Sequence, residues 1–157
     1  MTHGSRAAVA AFGLLGGLCV AVSAPAAADT LNIQVTTVRA SDLGQCDERL
    51  NAIRTRLRRV APGYRGFEMV DDVTRVVTLR TETAILLPGG RSLRLLPKRL
   101  ADDVFQMQVR LLDGRRRLVD TNLRIPNGGT MVFGVRPETH GGEEATLFVL
   151  KASDIQQ

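Results

Sequence analysis

The stretch Val104-Phe-Gln-Met-Gln-Val-Arg-Leu-Leu-Asp-Gly-Arg-Arg-Arg-Leu-Val-Asp-Thr-Asn-Leu-Arg-Ile125 decides the fold. Phe105, Met107, Val109 and Leu111 alternate with Gln106, Gln108 and Arg110, the period of a strand with one face on a core and the other in water. Asp113-Gly114 supplies a tight-turn dipeptide, and Arg117 to Ile125 returns as a second strand. So short a link leaves no room for a crossover helix, so the two strands are antiparallel.

Working outward, the same kind of run recurs. Upstream lie Phe67 to Val70, Arg75 to Arg80, Thr83 to Leu87 and Ser92 to Leu96, and downstream lie Thr130 to Arg136 and Ala145 to Lys151. Pro88-Gly89-Gly90 and Pro126-Asn127-Gly128-Gly129 offer the positive φ angles of hairpin turns. Leu31 to Val38 sets Leu31, Ile33 and Val35 against Asn32, Gln34 and Thr36, a half-buried first strand. Only from Asp47 to Val60 does the period lengthen, with Leu50, Ile53, Leu57 and Val60 three or four residues apart. That spacing predicts one amphipathic helix, acidic at Asp47 and Glu48, arginine-rich at its end and stopped by Pro62-Gly63. The expected fold class is mainly β (α+β): an antiparallel β-sandwich or partly open barrel of about seven to nine strands with one N-terminal helix.

The first 28 residues have a different character. Arg6 gives a basic start, Ala7 to Val22 an apolar run, and Ala26-Ala27-Ala28 a small-residue cleavage site before Asp29, which together read as a signal peptide. The run falls short of the roughly 20 apolar residues of a membrane span, and no second run of that kind follows. Leu18 ahead of Cys19 speaks against lipid attachment, which favours a small residue there. The expected product is one exported domain, residues 29–157, periplasmic or extracellular, with no transmembrane span. Arg6 is the only charged residue removed, so the net charge of +5 falls to +4.

Chemistry is thinly supplied. The processed chain keeps one cysteine, Cys46, and one histidine, His140, so neither an internal disulfide nor an ordinary zinc site can be assembled. Cys46 reads as a small, partly buried hydrophobe, with a reactive thiol at the helix start as the alternative. Asp71-Asp72, Asp102-Asp103 and Glu143-Glu144 lack calcium-loop spacing and read as solvated turn acids. Ser41, Ser92 and Ser153 stand in no nucleophile elbow, and the glycine pairs lie between strands rather than opening helices. No catalytic residue, cofactor or metal is expected.

The charge resides in 19 arginines against 2 lysines. Arginine's planar fork suits phosphate and carboxylate. Arg54 and Arg58 on the helix, with Arg115, Arg116 and Arg117 in a hairpin, are therefore candidate contacts for an anionic lipid or polysaccharide surface. The plainer reading is compositional, since a GC-rich genome encodes an arginine-rich, lysine-poor chain. Tyr64, Phe67, Phe105, Phe133 and Phe148 are placed mostly as core, so nucleic acid is not an expected partner.

The segment Thr121-Asn-Leu-Arg-Ile-Pro-Asn-Gly-Gly-Thr-Met-Val-Phe-Gly134 resembles the strand, glycine turn, strand element near the C-terminus of bacterial secretins, with Gly134 alone where the family carries a glycine pair. The strand, helix, strand start is similar to the small α/β modules that precede secretin channels. The resemblance covers under a quarter of the chain and implies kinship with exported envelope proteins or a secretion-system accessory. It carries over no functional residue. Together these readings give a non-enzymatic exported binding or assembly module of the bacterial cell envelope, partnered by another envelope protein. The alternatives are a small envelope enzyme acting on an anionic or glycan substrate, and a protein binding anionic surfaces. If sheet edges are left open, strand pairing with a partner is a natural interaction mode, and the final strand, Ala145 to Lys151, is one candidate.

Overall fold

The computed structural model describes residues 29–135 and 144–155. The signal-peptide reading and His140 lie outside them. Among the described residues eight strands build two antiparallel sheets of four. Sheet A has the order β2 (Gly66–Thr78), β1 (Thr30–Ser41), β8 (Glu144–Asp154), β7 (Thr130–Val135), and sheet B the order β3 (Thr83–Leu87), β4 (Arg91–Ala101), β5 (Val104–Asp113), β6 (Arg116–Pro126). The turns at 88–90 and 113–116 mark the upper end of the sandwich. The turns at 101–104 and 126–130 mark the lower end.

The alternation read along β5 is realised as expected, because sheet B has one dry face. Phe105, Met107, Val109 and Leu111 are fully buried and meet Leu31, Ile33, Val35, Phe148 and Leu150 of sheet A. Sheet A is covered on its second face too. A 3₁₀ segment (Glu48–Ile53) and the helix α1 (Arg54–Val60) place Leu50, Leu57 and Ala61 on Val38, Ala40, Phe67, Leu147 and Val149. The layers are thus helix, sheet A and sheet B.

Five expectations change. The helix expected over Asp47 to Val60 divides at Arg54 into the 3₁₀ and α segments, with the Asp47 carboxylate accepting from the Arg49 amide as N-cap. Phe67 to Val70 and Arg75 to Arg80 are not two strands but parts of the single 13-residue β2. Thr37 lies opposite Asp71 and Val38 opposite Met69, so Val70 is a bulge residue. The bulge moves the inward set from Phe67 and Met69, beneath the helix, to Val73 and Val77, between the sheets. Asp71 and Asp72 accordingly belong to a strand and not to a turn.

Nor is the final strand an edge. β8 runs between β1 and β7 in the middle of sheet A. Its unbroken run Leu147-Phe148-Val149-Leu150 is buried on both faces, Phe148 and Leu150 toward sheet B, Leu147 and Val149 toward the helix. Lastly, Pro126 to Gly129 is a crossing between sheets rather than a hairpin turn, since β6 belongs to sheet B and β7 to sheet A. Gly128 N–H donates to Ala152 O and Ala152 N–H to Gly129 O, fastening the crossing to β8. Gly128 has a φ of 72°, and a side chain on Gly129 would press on Pro126 O at 2.7 Å.

A polar clasp closes the lower end. Arg99 on β4 bonds Asp154 on β8 at 2.6 Å, and Asn127 exchanges hydrogen bonds with the Asp154 amide and carboxylate at 2.9 and 3.2 Å. The Asp154 bond holds the Arg99 pKa above its ordinary value.

Candidate functional site

The outer face of sheet A is built from one set of strands but changes character along them. Toward the upper end its even-numbered β1 positions are Val38 and Ala40, under the helix layer. Toward the lower end they are Asn32, Gln34 and Thr36, beyond it. Where the 3₁₀ segment stops short of the polar half, a cleft of about 370 Å³ remains. Leu50 and Ile53 overhang it, Met69 and Val149 form its apolar floor, and Gln34 and Thr36 lie along its side.

Three cations rim this cleft: Arg49, Arg56 and Lys151. Arg49 is neutralised by Asp47 at 2.6 Å. The side-chain and amide hydrogen bonds from Arg49 hold the Asp47 carboxylate at a pKa of about 2. Arg56 donates to the carbonyl of Thr130 at 3.2 Å, a partner without net charge. Lys151 makes no ion pair among the described residues. Asp72 is fixed on the adjoining strand, accepting from Gln34 Nε2 at 2.8 Å and from the buried Thr36 hydroxyl at 2.8 Å. The rim therefore carries a small positive surplus over an apolar floor, suited to an acidic group with an apolar neighbour.

Beside the cleft runs the outer edge of β2, and its two halves are treated differently. At the upper end the chain pairs with its own edge: Phe67 N–H donates to Gln45 O at 2.9 Å and Asp47 N–H to Phe67 O at 2.8 Å, making a parallel bridge between Cys46 and Phe67. Below the bulge no strand covers the edge among the described residues. The Arg75 side chain donates to Thr74 O there at 3.1 Å, and Val76 stands 63% exposed.

The arginines singled out from sequence fall into two layers. Arg54 is half-buried at the start of α1 and Arg58 exposed in its last turn, over sheet A. Arg115 lies in the turn between β5 and β6 of sheet B, Arg116 opens β6, and Arg117 pairs with Asp120 at 2.5 Å. The first group sits on the helix layer over sheet A and the second on sheet B. Cys46 is half-buried with its thiol donating to Arg65 O at 3.4 Å. Among the described residues no His, Cys, Asp or Glu cluster has the placement to hold a metal ion, and no helix is long and apolar enough to cross a membrane. Gln34, Thr36 and Lys151 were not legible as site residues. Their signal was faint: polar side chains on the face opposite Ile33 and Val35, and one of two lysines closing an apolar strand.

No family model matches the chain, and no curated protein matches it. Among solved structures it is similar to the secretin domain β-barrel of InvG from the Salmonella SPI-1 injectisome NC-base, at 13% identity and a TM-score of 0.39. The match covers 82% of this chain and 63% of that one, so the chain spans less than two thirds of its length.

Proposed function

We propose that the chain is a non-enzymatic binding or assembly module of the cell envelope whose partner is another envelope protein, docked on the lower half of sheet A's outer face. The observation that carries this reading is the divided edge of β2. Its upper half already receives an extended segment, Gln45 to Asp47, while its lower half offers the same backbone groups uncovered. An added strand finds main-chain partners there, and the adjacent cleft supplies side-chain selectivity. Arg56 and Lys151 favour an acidic segment.

A photo-crosslinking residue placed at Gln34 or Thr74 tests the reading in the producing cell, with Leu86, 83% exposed on β3 of the other sheet, as control. One discrete adduct from the first two positions and none from the third is the expected result. No adduct from either, or the same adducts from all three, overturns it.

A further inference from the structure

The net charge of +5 is concentrated in one part of the chain. Of the 21 basic and 16 acidic residues, positions 80–126, which build sheet B, hold ten and five, and the rest of the chain holds eleven of each. A purely compositional excess of arginine would run through both sheets. Strand alternation decides where the charge stands. Leu93, Leu95, Met107, Val109 and Ile125 are buried in the sandwich, so Arg94, Lys98, Arg110 and Arg124 stand on the opposite, outer face. Arg94 lies beside Arg110, and Lys98, Gln106 and Arg124 form one row across β4, β5 and β6. Gln108 and Asn122 are neighbours in the row between them. Two strand spacings set Lys98 and Arg124 about 10 Å apart at the backbone. No further layer covers this face among the described residues.

The acids of the face offset its cations only in part. Glu82 is shared between Arg94, at 3.6 Å, and Arg110, and Asp120 pairs with Arg117 at 2.5 Å. Lys98 and Arg124 are exposed and make no ion pair among the described residues. Five cations thus meet two carboxylates. The turn acids Asp102 and Asp103 at the lower end are matched by Arg115 and Arg116 at the upper end, so the surplus persists with the turns included. Gln106, Gln108 and Asn122 make no side-chain hydrogen bond among the described residues, and each amide can both donate and accept. Cations interleaved with amides fit a chain on which carboxylates alternate with hydroxyls. No aromatic side chain stands on this face to stack a neutral sugar or a base, so charge must carry the affinity.

We propose that the outer face of sheet B binds an acidic polysaccharide of the uronic-acid type, its carboxylates on Lys98, Arg124 and the Arg94 and Arg110 pair, its hydroxyls on the amides between them. This face lies across the sandwich from the protein-docking face of sheet A and stands or falls independently of it. Two-dimensional NMR of the purified chain, titrated with polygalacturonate oligomers, tests it. Saturable shifts are expected at the backbone amides of Lys98, Gln106, Gln108 and Arg124, weakening as salt is raised. The fully methyl-esterified oligomers, which keep hydroxyls and lose the charge, are expected to cause none. Lys98→Ala combined with Arg124→Ala is expected to weaken binding about tenfold or more. Both side chains are exposed, so the melting temperature is expected to stay level, which separates lost binding from lost folding. Arg59→Ala combined with Arg65→Ala removes the same net charge from exposed positions outside sheet B and is expected to leave binding unchanged. Four results overturn the proposal: no saturable shifts, a methyl ester that binds as well as the acid, poly-L-glutamate or phosphatidylglycerol vesicles bound as tightly as polygalacturonate, or equal losses in the two double variants.

Discussion

The upper and lower halves of sheet A's outer face share the same strands and the same backbone geometry, yet one is sealed and the other is open. Above, Val38, Ala40, Phe67, Leu147 and Val149 bury apolar area against Leu50, Leu57 and Ala61, and the edge of β2 is taken up by residues 45–47. Below, Gln34, Thr36 and Asp72 satisfy one another by hydrogen bonds and need no cover. Side-chain chemistry alone, not fold, sets where the helix layer ends. Stability is therefore expected to concentrate in the upper half and binding in the lower.

The comparison breaks most directly at Phe67. Phe67→Ala is expected to cost about 3 to 5 kcal/mol in urea unfolding, as for other buried aromatic truncations. Gly66 is next, because an added Cβ would press on the backbone carbonyls of Leu43 and Gln45, the latter at 2.7 Å. Gly66→Ala is expected to cost about 1 to 3 kcal/mol and to raise hydrogen exchange at the Phe67 amide as the edge is uncovered. A smaller effect is set by pH. The Asp47 pKa is depressed from 3.8 to about 2. Its stabilisation is therefore present above its unfolded value and lost as pH falls through about 2. Asp47→Asn is expected to remove that acid-dependent part of the melting curve, and a parental acid profile in the variant would refute the assignment. In the lower half, Lys151→Ala and Thr74→Ala are expected to shift stability by no more than about 0.5 kcal/mol. If either costs as much as Gly66→Ala, the division of labour fails.

How far this was legible in the sequence depended on how many faces of each strand are wet. β5 could be read residue by residue because Gln106, Gln108 and Arg110 alternate with core positions. β2 could not, because the bulge at Val70 inverts its alternation midway and Asp71-Asp72 imitates a turn. The central place of β8 was encoded in Leu147-Phe148-Val149-Leu150, a run that only burial on both faces explains. Strand order itself is a long-range property that local periodicity does not carry. The candidate cleft was hidden for the same reason, since Gln34, Arg56 and Lys151 lie far apart in sequence and meet only once the 3₁₀ segment lies across the sheet. The arginines were visible singly, but not the fact that the helix and the hairpin occupy different layers.

The adjacency of β1 and β8 has a consequence for the order of events in folding. Residues 31 and 154 are direct partners, so the centre of sheet A joins the first described strand to the last. Sheet B, a run of consecutive hairpins, closes with short loops, whereas sheet A must wait for its final strand and bear the entropy of closing nearly the whole chain. Any chain cut before Glu144 keeps the means to form sheet B and loses the strand on which β1, β7 and the helix layer all depend. Pairing of β1 with β8 is therefore the step expected to be slowest in refolding.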